Sequence, residues 1–207
     1  MLEERPEMGF RSQLTDINRE FLMLLTADAV AALPEVFGFG KGALDQLRHL
    51  SGAQIDRIAE APILLAEFEP LPGLCGPAAV ADAPPLPGGL PAIWQREAEA
   101  FANRLLACIW QAARQDQLMT AFCIGVDPDR HRRIAALSFR AISQSSEGTL
   151  RCLRVRLGRH PTFWADLLRS VRQGSDHQQL VSRLAMIPLS VANNALPTST
   201  ADRPRYF

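Results

Sequence analysis

Two arginine-rich stretches in the second half of the chain carry the residues best suited to bind phosphate. The first, DRHRRIAALSFR, runs from Asp129 to Arg140, and the second, LRCLRVRLGRH, runs from Leu150 to His160. A guanidinium group donates two hydrogen bonds in a planar fork that matches phosphate, and clustered basic residues are typical of nucleic-acid surfaces. We therefore predict contact with the DNA backbone through nine residues: Arg130, His131, Arg132, Arg133, Arg140, Arg151, Arg154, Arg156 and Arg159.

The same arginines have two other interpretations, a solvated face or a docking surface for an acidic protein. Residues 1–92 hold 13 acidic and 6 basic residues, a net charge of −7, whereas residues 93–207 hold 9 and 16, a net charge of +7. The acidic half of another copy is one candidate for such a partner, so a homo-oligomer is among the expected states. Phosphate contacts carry no sequence information, and DNA binding of this kind would leave base reading to a partner.

Other residue types that support catalysis or metal binding do not form a pattern of their own. Cys123 and His131 are eight positions apart, as are Cys152 and His160, whereas zinc ligands usually come in tighter pairs. The sequence contains no nucleophile elbow, no phosphate-binding loop and no dinucleotide fingerprint after a strand. His49 is interpreted as a structural histidine on a short helix. We predict that the protein is not an enzyme and has no catalytic residues, no metal site and no cofactor.

The elements that must position the arginines are predicted from a pattern that occurs twice. VFGFGKGALDQLRHLSGAQIDRIAEAPILLAEF starts at Val36 and CIGVDPDRHRRIAALSFRAISQSSEGTLRCLRV starts at Cys123, and their apolar positions coincide without a gap at an offset of 87 residues. Each copy predicts a glycine break and then two short helices joined by a tight turn, the helix-turn-helix arrangement.

In the first copy, Ser51 and Gln54 have the spacing of a capping box at the start of the second helix, and Pro62 is expected to stop that helix. In the second copy, Asp127 and Pro128 predict an N-cap and a first-turn proline. A strand-like segment, ILLAEF or TLRCLRVRL, follows the second helix.

A longer amphipathic helix precedes each copy. The first is expected to end before Pro34, and the second to run from about Ile93 to Phe122, a stretch without Gly or Pro. Apolar residues recur on both helices at the spacing of one helical face. These residues are predicted to form the core or the partner interface, and they include Ile17, Phe21, Leu24, Leu25, Phe101, Leu105 and Ile109.

The repeated pattern sets the predicted domain organisation. Residues 1–69 form the first repeat, 70–92 a linker rich in Pro and Gly, 93–175 the second repeat, and 176–207 a C-terminal helix and flexible tail. A unit of roughly 60 to 80 residues stabilises itself poorly. Two units are therefore expected to bury their apolar faces against each other with pseudo-two-fold symmetry, either within one chain or between two chains. The predicted fold is mainly α, and a short β-strand in each repeat is allowed.

The first repeat contains DINREFLMLL from Asp16 to Leu25, then Gly38, a twelve-residue step to Leu50 and Ser51, and QIDRIAE from Gln54 to Glu60. In their order and spacing these residues resemble the FlhD family of bacterial transcriptional regulators. The second half carries a partial match at Gln115 and Asp116, at Phe122 and Gly125, and at the same step to Leu137 and Ser138.

This resemblance implies a small, mostly helical, dimeric regulator that acts with a zinc-binding FlhC-like partner to activate promoters. Relatives of this family control flagellar genes or the transfer genes of integrative conjugative elements. The tandem arrangement looks like a fused dimer of FlhD-like units. The alternative is a protein-interaction module with the same fold that does not bind DNA, such as an adaptor or an anti-activator. The acidic first half and the serine-rich segment SFRAISQSSEG favour that alternative.

The location and the redox state of the protein follow from composition. The N-terminal segment MLEERPEMGF is acidic and does not have the pattern of a signal peptide, and no apolar run approaches the ~20 residues needed to span a bilayer. We therefore expect a cytoplasmic protein without membrane contact. The cysteines, Cys75, Cys108, Cys123 and Cys152, form no C-x-x-C pair and are predicted to be free thiols, most of them buried.

Overall fold

The computed structural model of the protein describes residues 6–71, 73–74, 82–115, 128–144 and 148–173, with side chains from residue 11 onward. The described chain is mainly helical, as predicted. Among its helices, none is long and apolar enough to cross a membrane. The first half contains α1 (Pro6–Thr26), a 3-10 turn (Asp28–Val30), β1 (Glu35–Val36), β2 (Phe39–Gly40), α2 (Lys41–Arg48), α3 (Gly52–Ala59) and β3 (Ala66–Phe68). The second half contains α4 (Ala92–Gln115), α5 (Pro128–Ala135), α6 (Phe139–Gln144), α7 (Thr149–Cys152), β4 (Leu153–Val155) and α8 (Phe163–Gln173).

Helix α1 packs along α3 through a buried asparagine. The side chain of Asn18 is completely buried, and its amide group donates to the carbonyl oxygens of Ala59 at 3.2 Å and Ile63 at 2.9 Å. The side-chain oxygen of Asn18 accepts a hydrogen bond from the backbone N–H of Leu65 at 2.9 Å. Because buried backbone groups must be hydrogen-bonded, Asn18 fixes the segment that leads from α3 to β3.

The two long helices meet through aromatic side chains. The rings of Phe21 on α1 and Phe101 on α4 are both fully buried and stack at 5.5 Å. Nearby, the indole N–H of Trp94 donates to the carbonyl of Leu24 at 3.2 Å. Six of the seven residues predicted for the core or partner interface are buried inside this one chain: Phe21, Leu24, Leu25, Phe101, Leu105 and Ile109. The seventh, Ile17, is partly buried and packs against the same core.

A tight hairpin joins β1 to β2 and reaches the second half of the chain. Val36 pairs with Phe39, and the two residues between them, Phe37 and Gly38, have φ values of 52° and 77°. Positive φ at both central positions is typical of the type I′ turn, whose twist matches that of antiparallel strands. The ring of Phe37 is buried and its carbonyl accepts a hydrogen bond from the backbone N–H of Val155 at 2.8 Å.

The strand-like segments of the two halves pair with each other. Strands β3 and β4 are antiparallel, and Glu67 at the centre of β3 lies opposite Arg154 at the centre of β4. Only part of the second segment is extended, because Thr149–Cys152 forms the helical turn α7 before β4 begins. The pairing of β3 with β4 therefore joins the first half of the chain to the second.

The last described helix returns to the first half. Helix α8 packs against α2 and α3, and the ring of Trp164 lies 4.8 Å from that of Phe39. In the Pro/Gly-rich segment, the described residues Leu71, Ala83 and Leu90 are buried. The glycine predicted to break the second copy, Gly125, lies outside the described residues, as do the C-terminal helix and tail predicted for 176–207.

Candidate nucleic-acid interface

Helices α5 and α6 form the short helical pair that carries the first arginine-rich stretch. Ile134 and Ile142 are buried, which holds the pair against the rest of the fold. The hydroxyl of Ser138 accepts a hydrogen bond from the backbone N–H of Ala141 at 3.2 Å and so caps the start of α6. The indole N–H of Trp110 on α4 donates to the carbonyl of Leu137 at 2.8 Å, which fixes the turn between the two helices.

The exposed arginines of this pair are Arg132, Arg133 and Arg140. Arg132 pairs with Asp129 one turn away on α5. Arg133 donates to the carbonyl of Leu74 at 3.2 Å. A fourth predicted residue, Arg130, is half-buried. Exposed surface pairs contribute little to stability, so these guanidinium groups can exchange their present partners for phosphate at small cost.

Two of the nine residues predicted to contact DNA are buried. His131 and Arg156 are only 6% and 3% exposed, so neither presents a side chain at the surface. His131 lies on the inner face of α5, three positions before the buried Ile134, and helical periodicity alone could have placed it there. Arg156 follows directly on β4, and its backbone N–H donates to the carbonyl of Leu65 at 2.8 Å.

The second arginine-rich stretch does not extend a single basic surface. Arg151 is half-buried and donates to the carbonyl of Ala83. Arg154 is also half-buried and folds back along its own strand, where it donates to the carbonyls of Arg151 at 2.8 Å and Leu153 at 2.7 Å. Arg159 is exposed and lines a cleft beside β3 and β4. The arginines that are exposed together on one helical pair are therefore Arg132, Arg133 and Arg140 of α5 and α6.

The sequence analysis missed an aromatic cluster next to these arginines. Phe139, the first residue of α6, is 70% exposed, and its ring lies 6.1 Å from that of Trp110. The guanidinium carbon of Arg114 lies 5.0 Å from the centre of the Trp110 ring, a cation–π contact. The i, i+4 spacing of Trp110 and Arg114 on a helix was the signal available in the sequence. Rings and guanidinium groups of this kind are enriched in binding surfaces.

The helical pair of the first half carries two arginines, Arg48 and Arg57, whereas α5 and α6 carry four. Helix α8 packs against both α2 and α3, and the guanidinium of Arg172 donates to the carbonyl of Gln46 at 2.9 Å. Arg48 on α2 pairs with Asp28 at 3.0 Å. The capping box predicted for α3 is confirmed, because Ser51 and Gln54 each accept a hydrogen bond from the other's backbone N–H.

Replacing His131 by leucine is expected to stabilise the protein by about 1 kcal/mol, because neither ring nitrogen has a hydrogen-bond partner among the described residues and an unsatisfied buried polar group is costly. The corresponding inner position of α2 is the buried Leu44. Urea unfolding monitored by circular dichroism measures the change. His49→Leu, at an exposed histidine, is the control and should leave the midpoint unchanged. A loss of stability in His131→Leu would show that the imidazole is hydrogen-bonded.

The described residues include two cysteines, Cys108 and Cys152, among the side chains that could bind a metal ion. No three His, Cys, Asp or Glu side chains in these ranges come together in a way that could hold a metal ion. Cys108 and Cys152 are buried thiols, as predicted, and burial raises the pKa of the Cys108 thiol to about 11. Cys75 and Cys123 lie outside the described residues. Comparison of the chain with models of protein families, with curated proteins and with solved structures finds no match.

Proposed function

We propose that the chain is an FlhD-like subunit of a heteromeric transcriptional activator, built from two related helical units and acting with a zinc-binding FlhC-like partner. It would control flagellar genes or the transfer genes of an integrative conjugative element. Helices α5 and α6 contact the DNA backbone in this proposal, and the partner supplies most of the base reading. The long helices and the first helical pair hold the two units together.

The spacing of the helices and strands supports the idea of two related units. Lys41 and Pro128, the first residues of α2 and α5, are 87 positions apart, and both helices are eight residues long. The same interval separates the first residues of α3 and α6, Gly52 and Phe139, and those of β3 and β4. The interval is therefore 87 residues for all three pairs of elements, and it is the same offset at which the apolar positions of the sequence coincide.

The buried positions follow the same interval. Leu44 and Leu47 are the buried residues of α2, and His131 and Ile134 are those of α5. On the long helices, buried residues of α1 correspond at this interval to buried residues of α4. These pairs are Leu14 with Phe101, Asn18 with Leu105, Phe21 with Cys108, and Leu22 with Ile109. Two segments that bury the same positions fit a common packing pattern.

The register of β3 and β4 is the observation that carries the proposal. Glu67 and Arg154 lie opposite each other and are also the residues that the 87-residue interval makes equivalent. On one side Ala66 pairs with Val155, and on the other Phe68 pairs with Leu153. At the 87-residue interval Ala66 is equivalent to Leu153, and Phe68 is equivalent to Val155. Exchanging the two strands therefore turns one pair into the other, as at an isologous interface around a two-fold axis. This register is expected of a dimer joined into one chain.

We assign DNA contact to α5 and α6 because their arginine side chains are exposed to solvent. In the first half, α8 covers the equivalent pair. In the second half, Arg132, Arg133 and Arg140 are exposed on two adjacent short helices. Backbone phosphates are bound by such groups without regard to sequence, which agrees with a partner that reads the bases.

Binding to a fluorescently labelled promoter duplex tests the proposal. We expect tight binding only when the chain and an FlhC-like protein are both present, with an affinity that falls steeply as salt is raised. The double substitution Arg133→Glu and Arg140→Glu should weaken binding by at least about tenfold. It should also reduce the slope of log affinity against log salt by about 0.9 for each phosphate that the variant no longer neutralises.

Arg96→Glu is the matched control, because Arg96 is an exposed arginine on α4, outside the helical pair. It should leave both the affinity and the salt slope close to those of the wild-type protein. Binding that does not respond to salt, or a double variant that binds like Arg96→Glu, would count against DNA contact by α5 and α6.

The aromatic cluster favours a second candidate function, a protein-interaction module that does not touch DNA. Phe139 is exposed beside Trp110 and Arg114, and exposed aromatic and arginine side chains commonly dominate binding energy at protein interfaces. This candidate predicts a stable complex with a regulator that Phe139→Ala disrupts, together with no DNA affinity in any combination of proteins. Co-purification and the same duplex titration distinguish it from the activator.

A further inference from the structure

A cleft of about 370 Å³ lies beside the paired strands β3 and β4. One wall comes from the first half of the chain, with Phe37 and Gly38 of the hairpin and with Glu67 and Glu69. The other comes from the second half, with residues 154–155 and 157–161. A volume of this order is within the range of small-molecule binding sites, which is about 300–1,000 Å³. A ligand in this cleft would touch both halves at once.

The walls carry opposite charges that are not paired with each other. Glu67 and Glu69 belong to the first wall, and Arg154 and Arg159 belong to the second. Within the described residues, no ion pair involves any of these four side chains. Opposite charges that face each other across antiparallel strands normally attract and pair. Here the Arg154 guanidinium instead donates to carbonyls of its own half.

The acidic wall is partly withdrawn from water. Burial raises the pKa of Glu67, and the neighbouring Glu69 raises it further, while Arg156 and Arg130 lower it without cancelling the effect of burial. A cation placed beside Glu67 and Glu69 would therefore relieve an unfavourable arrangement. A positively charged ligand group satisfies this requirement on the first wall, and Arg154 and Arg159 favour a negatively charged group on the second.

The backbone around the cleft is held in a shape that side chains rarely allow. Leu157 has a φ of 54°, and Phe37 on the opposite wall has a φ of 52°. Gly158 fits tightly, since a Cβ there would lie 2.9 Å from the carbonyl oxygen of Val155 and 3.1 Å from that of Gly38. His160 caps the start of α8, because its Nδ1 accepts from the backbone N–H of Phe163 at 3.1 Å. Strained backbone of this kind is often concentrated at binding sites.

We propose that this cleft binds a small zwitterion of the α-amino acid class, with its ammonium group at Glu67 and Glu69 and its carboxylate at Arg154 and Arg159. The presence of two acidic and two basic residues around one cleft is the feature that selects a molecule carrying both an ammonium and a carboxylate group. Since the walls belong to the two halves, the bound molecule holds the halves together across β3 and β4. The proposal does not depend on DNA binding by α5 and α6.

The twenty standard amino acids, added singly to the full-length protein, are the probes. We expect at least one to raise the melting temperature in a saturable way and to bind in calorimetry with a dissociation constant below about 1 mM. For that amino acid, acetylating the amine or amidating the carboxylate should each weaken binding by at least about tenfold, the effect of removing one charge-assisted hydrogen bond. These blocked ligands test the wild-type protein, so their result does not depend on the folding of a variant.

Variants locate the binding site. Glu67→Gln and Arg159→Gln should each weaken binding of the same amino acid by at least about tenfold, whereas Glu99→Gln and Arg96→Gln should not change it. The two control residues are exposed on α4, outside the cleft. Circular dichroism confirms that each variant is folded. The proposal is overturned if no amino acid shifts the melting temperature, if blocking either end leaves binding unchanged, or if Glu67→Gln and Arg159→Gln bind as tightly as the controls.

Discussion

Replacing Asn18 by alanine is expected to lower the free energy of unfolding by about 4 kcal/mol, because it leaves three buried backbone groups without their partner. These groups are the carbonyls of Ala59 and Ile63 and the N–H of Leu65. Each unsatisfied buried group costs about 1–3 kcal/mol, and some relaxation around the shortened side chain reduces the sum. Asn18 is thus the side chain that hydrogen-bonds three successive parts of the segment from α3 to β3.

Urea unfolding monitored by circular dichroism measures this loss. Asn103→Ala is the matched control, because Asn103 is an exposed asparagine on α4, and its substitution should change stability by no more than about 0.5 kcal/mol. Asn18→Leu separates hydrogen bonding from packing, since leucine fills the space and is the residue at the corresponding position of α4, Leu105. We expect Asn18→Leu to be almost as unstable as Asn18→Ala. A loss below about 1 kcal/mol in both variants would contradict the hydrogen-bonded role of Asn18.

The burial of Asn18 could not be predicted from the sequence. The apolar spacing of α1 predicted an inner face that contained Ile17, Phe21 and Leu24. In the structure the face is rotated slightly, so that Asn18 and Leu22 are fully buried and Ile17 is only partly buried. A buried asparagine is not visible in a pattern of apolar residues, because its burial depends on backbone groups far along the chain that it can satisfy.

Local signals predicted the short helices well. The Ser51 and Gln54 spacing predicted the start of α3, and the capping box is present. Pro62 predicted the end of the same helix, which stops at Ala59. At Pro128 the predicted first-turn proline is the first residue of α5. Caps and prolines act through nearby backbone groups, so the sequence around them contains most of the information that decides where a helix begins and ends.

Long-range features could not be predicted in the same way. The sequence indicated two strand-like segments but not that they pair with each other, or with which register. It grouped Arg156 and His131 with the exposed arginines, although both are buried. It gave no sign that α8 covers α2 and α3. Each of these facts depends on contacts between residues that are distant along the chain, and charge or local periodicity does not report such contacts.

Replacing Phe101 by alanine is expected to lower the free energy of unfolding by about 3–5 kcal/mol, the usual cost of removing a buried aromatic side chain. Phe101 is fully buried and its ring stacks on that of Phe21 at 5.5 Å, with an interplanar angle of 16°. The matched control is Phe139→Ala, which removes the same side chain at a position that is 70% exposed. Its cost should stay within about 1 kcal/mol, because little of the ring is withdrawn from water.

The same variant decides whether the two halves join within one chain or exchange between chains. If Phe21 and Phe101 of one chain stack on each other, Phe101→Ala should unfold in a single transition whose midpoint does not change with protein concentration. A double-mutant cycle with Phe21→Ala should give a coupling energy of about 1 kcal/mol, since the two rings interact directly. A midpoint that rises with protein concentration would instead show that association of chains contributes to stability. In that case, loss of the concentration dependence in Phe101→Ala would place the α1–α4 contact between two chains.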